Sequence, residues 1–227
     1  AEYYSCILEK YGGSKENKEL LDLACGSGGL SLPLKNLGYK VTGCDLSPEM
    51  LTEAAGKSDE IRWLCLDMTD LPFKEKFDFV ICGLDSLNHL ESAEKIEAAF
   101  KSVYSALRSG GVFAADMNTV YKHENVLGNN AFIFDYEGLY CGWQNELDEA
   151  DPLHRVDMFL DFFSENPDGG YTRYEDSLSE IALPVEEKEK MLVKCGFRIC
   201  EISEYQTGLD LSRAKKKKKF VFAARKA

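Results

Sequence analysis

This 227-residue chain contains no Cys-x-x-Cys pair among its eight cysteines, which removes the usual zinc-ribbon and redox-dithiol patterns. Its three histidines, His89, His123 and His154, fall in unrelated segments and offer no metal-ligand spacing, so no metal is expected. No apolar run is long enough to span a bilayer, and no basic segment precedes a cleavage-like site. The chain therefore reads as soluble and cytoplasmic, with no membrane partner. Positive charge is scarce: 27 Lys and Arg stand against 39 Asp and Glu, a formal net of −12, which suits a phosphate backbone poorly. Cys44, Cys65 and Cys82 sit inside apolar strand patterns and are expected as buried, reduced thiols.

Against these absences stands one informative stretch, Leu20-Leu21-Asp22-Leu23-Ala24-Cys25-Gly26-Ser27-Gly28-Gly29. A short apolar strand runs into a glycine-rich turn, and a helical pattern follows at Leu30, Leu34 and Leu37. Glycine there lets the backbone pass close to a nucleotide-like ligand, while the helix start offers unpaired N–H groups. Tight strand-to-helix turns also need glycine for structural reasons alone. A second apolar strand, Lys40 to Asp45, ends in a carboxylate 19 residues after Gly26, the spacing at which an acid accepts ribose hydroxyls. Dinucleotide enzymes and S-adenosylmethionine (SAM) enzymes share that arrangement. The third glycine that a pyrophosphate demands is missing, its place taken by Leu30-Ser31. Asp45 also reads as a cap or turn residue before Ser47-Pro48-Glu49, a role compatible with ribose binding.

Further strands follow in order. Ile61 to Leu66 ends at Asp67-Met68, where a side chain could meet an adenine amino group; Phe77 to Cys82 precedes Gly83-Leu84-Asp85-Ser86. A helix over roughly 93–107 is expected to turn at Ser109-Gly110-Gly111 into a fifth strand, Val112 to Asp116. Strands alternating with helices predict a parallel α/β sheet with its ligand at the C-terminal strand ends.

The set Leu21-Asp22-Leu23-Ala24-Cys25-Gly26-Ser27-Gly28, Val41 to Leu51, Asp67-Met68, Phe77 to Val80 and Leu107 to Gly111 resembles the class I SAM-dependent methyltransferases. Asp85-Ser86-Leu87-Asn88-His89-Leu90 and Tyr121-Lys122 with Val126 to Asn130 look more closely like the bacterial YqeM-type methyltransferases. The resemblance implies a Rossmann-like, mostly parallel seven-stranded sheet with helices on both faces, an antiparallel β insertion after the fifth strand, and SAM as cofactor. It implies that backbone at Ala24, Cys25, Gly26 and Gly28 approaches methionine and ribose, and that Asp45 takes the ribose hydroxyls. Leu46 and Met50 would pack near adenine, Asp67 and Met68 would meet its edge, Leu84 would line the methionine, and Asp22 would order the loop from beneath. Relatives carry an additional N-terminal helical segment whose aromatics close over the cofactor; with Tyr3-Tyr4 arriving so early, part of that segment is expected to be missing here.

Charge is uneven. From Thr119 to Glu187 sixteen acidic residues face three basic ones, a net of −13 that leaves the rest of the chain near neutrality. In the same stretch Val156, Met158, Leu160 and Phe162 alternate with Asp157, Phe159, Asp161 and Phe163, and turns fall at Asp151-Pro152 and Asn166 to Gly170. We read one domain over 1–227, with 119–183 an antiparallel insertion on the substrate side ahead of a helix near Pro184. Such an acidic, aromatic lid suits a neutral or cationic small molecule, an amine among them; the same composition also describes a sheet with a solvated acidic face and an aromatic core. The insertion is a candidate surface for a homodimer. Phe197 to Ile202 and Phe220 to Ala223 read as a closing strand pair, with Lys215 to Lys219 a solvated hairpin loop between them.

Methyl transfer from a sulfonium needs positioning, desolvation and, for some acceptors, a base, so no catalytic motif is obligatory. The segment after the fourth strand lacks the Asn/Asp-Pro-Pro-aromatic signature, and Cys82 lacks a preceding proline. Asp85 and His89 are the candidates for acceptor contact or general base; His89 serves equally well to orient its loop. Other readings are a nucleotide-dependent oxidoreductase, disfavoured by the missing glycine, a non-enzymatic SAM-binding interaction module, and an RNA methyltransferase acting with a partner. The sequence leaves open the acceptor, its reacting atom and the oligomeric state.

Overall fold

The computed structural model describes residues 1–14, 16–204 and 219–226. Seven strands form the main sheet: β1 (Glu19–Leu23), β2 (Lys40–Asp45), β3 (Arg62–Cys65), β4 (Phe77–Cys82), β5 (Leu107–Asn118), β10 (Phe197–Glu204) and β11 (Lys219–Lys226). Their order is β10-β11-β5-β4-β1-β2-β3. The pairs among β1 to β5 are parallel, whereas β11 is antiparallel to both β5 and β10. The order reverses between β1 and β4, which opens a crevice at their C-terminal ends.

Alternation along the central strands divides the core. Leu21, Leu23, Val80 and Phe113 face the side packed by α4 (Ala93–Ala106) and α6 (Val185–Lys194). Leu20, Phe79, Ile81 and Val112 face α1 (Glu2–Gly12) and α2 (Ser31–Asn36). Pro48 opens α3 (Pro48–Lys57), and Ser47 caps it by accepting the Met50 amide at 3.1 Å. Among the described residues no helix is long and apolar enough to cross a membrane.

Three expectations are corrected here. Ser109-Gly110-Gly111 does not turn a helix into a strand; β5 already begins at Leu107, and the glycines sit in an irregularity where the β4 register slips between Phe77 and Phe79. Gly110 has φ 77°, so it absorbs the bulge without ending the ladder. Cys44 and Cys82 are fully buried as expected, but Cys65 is exposed, because β3 is the edge strand. Lys219 belongs to β11 and is no loop residue; Lys215 to Lys218 lie outside the described residues.

Between β5 and α6 the chain builds a second sheet, β6 (Ala131–Tyr136), β7 (Leu139–Leu147), β8 (Val156–Glu165) and β9 (Tyr171–Glu180), antiparallel throughout. The register puts Phe134, Trp143, Met158, Leu160, Phe162, Leu178 and Glu180 on one face. The other face carries Asp135, Glu146, Asp157, Asp161, Glu165 and Glu175, with Ile133 and Phe159 exposed among them. Six of the eight acidic residues in these four strands thus point away from the face that carries Phe134, Trp143 and Phe162.

Candidate active site

The crevice is bordered by two loops, each holding strained backbone. After β1, Ala24 has φ 56° and Gly26 φ 52°; after β4, Leu84 and Asp85 have φ 57° and 55°. Non-glycine residues adopt this conformation only where surroundings hold them. For the first loop the holder is Asp45. Its Oδ2 accepts the Gly26 amide at 2.7 Å and its Oδ1 the Ser47 amide at 2.9 Å. Asp45 therefore acts as a turn residue, while the helix cap is Ser47.

Beneath the loop, Asp22 is buried and accepts the Ser31 hydroxyl at 2.5 Å, which ties β1 to the start of α2. Burial pushes its carboxyl up to about 7, although the Ser31 bond opposes the rise. Burial likewise raises the Cys25 thiol, with Asp22 and Asp45 adding to the effect.

The two loop glycines do different work. A Cβ on Gly28 would stand 2.8 Å from the Trp63 ring, and one on Gly43 would stand 2.5 Å from it. Gly28 is therefore needed for the packing of Trp63. At Gly26 no described atom beyond its chain neighbours lies within 4 Å of a Cβ position, so that side of the backbone is open. Leu46 is 69% exposed, Met50 48% and Leu84 69%, so three large apolar side chains border the opening without cover. Asp67 lies exposed beyond β3; its Oδ1 accepts the Thr69 amide and hydroxyl, and these bonds lower its pKa. Met68 is half-buried against the core.

The second loop is held by residues that sequence reading missed. Asp116, near the end of β5, accepts the Leu84 amide at 2.7 Å and the Asp85 amide at 3.2 Å. It also takes the Tyr4 hydroxyl at 2.5 Å and the Lys219 ammonium at 2.8 Å. Tyr4 lies in α1, which residues 2–12 form themselves. The Asp85 carboxylate is met by Lys219 at 3.2 Å and Lys122, in α5 (Val120–Lys122), at 3.5 Å.

A cavity of about 430 Å³ lies between this loop and the apolar face of the second sheet. Phe134, Trp143, Leu160 and Phe162 are among its walls; Asp85, His89, Lys122 and Glu180 supply polar groups. His89 and His123 do not belong to unrelated places after all, because the fold brings both to Glu180. Glu180 Oε2 accepts Asn118 Nδ2 at 2.6 Å and His123 Nε2 at 3.3 Å. Burial alone would raise its pKa; the bonds from His123 and Asn118 outweigh it and hold the carboxyl below its usual range. Nothing marked Glu180 in the sequence, where it is one acid among sixteen. Lys188, on α6, is buried against the Phe220 ring and donates to Asn118 O at 3.2 Å; burial lowers its pKa to about 7.

A strained glycine turn, an acid closing the next strand and uncovered apolar side chains together could hold a nucleoside cofactor, and open backbone at Gly26, a carboxylate at Asp45 and apolar borders are groups that suit SAM. Residues 20–111 match a methyltransferase domain family. The chain is 34% identical over 218 residues to the putative methyltransferase YqeM of Bacillus subtilis (strain 168), covering 93% of this chain and 85% of that protein. Among solved structures, a SAM-dependent methyltransferase from Clostridium acetobutylicum ATCC 824 superposes with a TM-score of 0.85 at 29% identity, covering 100% and 89% of the two chains. SAM-bound CalS10 from Micromonospora echinaspora, an amino pentose methyltransferase, shares the fold at 19% identity (TM-score 0.74, 99% and 90% covered). The chain belongs to the YqeM family of SAM-dependent methyltransferases, and its cofactor is SAM.

Proposed function

We propose that the protein transfers the methyl group of SAM to a small-molecule acceptor, an amine, held in the cavity beneath the second sheet. The observation that carries this reading is the cavity itself, which opens beside the Leu84–Asp85 turn and is walled by aromatic side chains. Its size suits a small ligand. In this reading Asp45 holds the ribose hydroxyls with lone pairs left over from Gly26 and Ser47. Leu46 and Met50 flank adenine, Asp67 and Met68 meet its edge, and Leu84 with the backbone of Ala24, Cys25, Gly26 and Gly28 lines the methionine. Asp22 supports the loop from below.

SAM supplies an electrophilic methyl group on a sulfonium that leaves without protonation. The chain's own part is to exclude water, align the acceptor and take a proton where the nucleophile carries one. Asp85 and His89 face that acceptor; Asp85 is already matched by Lys122 and Lys219, which favours an orienting role for it. An amine acceptor agrees with the aromatic walls, which favour a cation. CalS10, a structural neighbour, acts on an amino sugar, in line with this acceptor class. The test is to incubate the protein with SAM and pools of amines, alcohols and carboxylates, and to measure S-adenosylhomocysteine release. Release that depends on the amine pool supports the reading; release with another pool alone corrects the acceptor class.

A further inference from the structure

Among the described residues, the Glu180 carboxylate is hydrogen-bonded through one oxygen only. Its Oε2 is taken by Asn118 and His123, whereas Oε1 has His89 Nε2 as its neighbour at 3.6 Å, longer than a hydrogen bond. The other His89 nitrogen, Nδ1, lies 3.2 Å from the Ser179 carbonyl oxygen. A carbonyl only accepts, so Nδ1 carries the hydrogen, and whenever the ring is neutral Nε2 presents its lone pair to Oε1. In that form two acceptors face each other across a gap in the wall of the cavity. The Glu180 side chain is 7% exposed and His89 42%, so one member is desolvated and the other is open to an incoming molecule.

Among the described residues, the surrounding charges do not fill the gap. Lys122 Nζ donates to Asn118 Oδ1 at 2.8 Å and faces Asp85. Arg155 is engaged by Asp151 and the Ser179 hydroxyl, and Lys188 donates to the Asn118 carbonyl. His123 is buried, with Nδ1 2.7 Å from the His154 carbonyl oxygen and Nε2 3.3 Å from Oε2, so it lies on the far side of the carboxylate from His89.

Resting on the methyltransferase reading above, we propose that His89 Nε2 and Glu180 Oε1 form the subsite for the acceptor's nitrogen and bind it as a primary or secondary ammonium. Two N–H bonds of that group donate to the two facing acceptors, while its apolar body lies against Phe134, Trp143 and Phe162. An ammonium has no lone pair, so a proton passes first from the nitrogen to His89 Nε2, and Glu180 stabilises the imidazolium formed. The freed lone pair then attacks the methyl carbon as the carbon–sulfur bond breaks. The products are a methylated ammonium and a neutral thioether, and the proton on His89 returns to solvent. A hydroxyl acceptor brings one hydrogen to two acceptors and leaves one unmet, so the subsite selects nitrogen over oxygen.

The test uses the full chain saturated with S-adenosylhomocysteine and calorimetric titration with 2-phenylethylamine and its alcohol counterpart, 2-phenylethanol. The amine is expected to bind at least about tenfold more tightly than the alcohol. Glu180→Gln and His89→Phe should each remove that preference while leaving S-adenosylhomocysteine affinity unchanged, which shows the variants folded. Equal binding of amine and alcohol, no amine binding to a chain that binds S-adenosylhomocysteine, or an unaltered preference in both variants would overturn the subsite and leave the methyltransferase reading standing. Failure of the unsubstituted chain to bind S-adenosylhomocysteine would instead overturn the reading beneath it.

Discussion

Tyr4 donates its phenolic hydrogen to Oδ1 of Asp116 at 2.5 Å, across 112 residues of sequence. The same carboxylate accepts two successive amides, of Leu84 and Asp85, from a turn that two non-glycine residues hold at positive φ. One buried acid therefore fastens α1, the β4 loop and the first residue of β11 together.

Removing that acid should cost more than any one of its bonds. Asp116→Ala leaves two amides without their acceptor, the Tyr4 hydroxyl without its Asp116 bond and Lys219 with Asp85 alone. A loss of about 3 kcal/mol in denaturant unfolding is expected, together with weaker SAM binding because Leu84 is released. A variant as stable as the parent would show that the turn is held by other contacts.

Asp45 should behave differently. Its bonds to Gly26 and Ser47 are part-buried, so Asp45→Ala is expected to cost only about 1 kcal/mol of stability. SAM affinity measured by calorimetry should fall at least about tenfold, the scale of losing hydrogen bonds to a charged group. Near-unchanged affinity would remove Asp45 from the ribose.

Asp22 makes a pH prediction whose sign is fixed by burial. Its folded pKa, about 7, lies above the unfolded carboxylate value near 4, so the native state holds the proton more tightly. Stability from this group is fully present below the unfolded value and declines as pH rises toward 7, by about 1.4 kcal/mol per unit at most. Asp22→Asn should flatten the stability profile between pH 4 and 7 and raise stability at pH 8 relative to the parent. An unchanged slope would contradict the buried, protonated carboxyl.

How much of this was legible in the sequence depends on the range of the signal. The β1 and β2 ladders, the glycine turn and Asp45 announce themselves within thirty residues, because apolar alternation and turn chemistry are local. The inward face of β8 was equally readable from its period of two. Glu180 was not, because nothing local distinguishes it from its acidic neighbours; it matters only after β9 carries it to His89 and His123. Lys219 was hidden at the end of a lysine run whose composition suggested solvent, and pairing with β5 sets it on Asp116 instead. Gly28 carries a packing role that no local signal reveals: Trp63, 35 residues on, fills the space beside its Cα. Cys65 failed because an apolar strand pattern does not say which strand lies at the edge.

The most direct measurement compares turnover with cofactor binding when the cavity is filled. Cys141 is buried on the cavity wall, and Cys141→Trp places an indole in the space assigned to the acceptor. S-adenosylhomocysteine release should be followed with SAM and the amine pool for parent and variant, alongside SAM affinity by calorimetry. The account predicts amine-dependent release by the parent, at least about a hundredfold less by the variant, and equal SAM affinity, since misplacing an acceptor by an ångström already costs that much. Undiminished turnover by a variant that binds SAM normally would place the acceptor elsewhere and contradict the account.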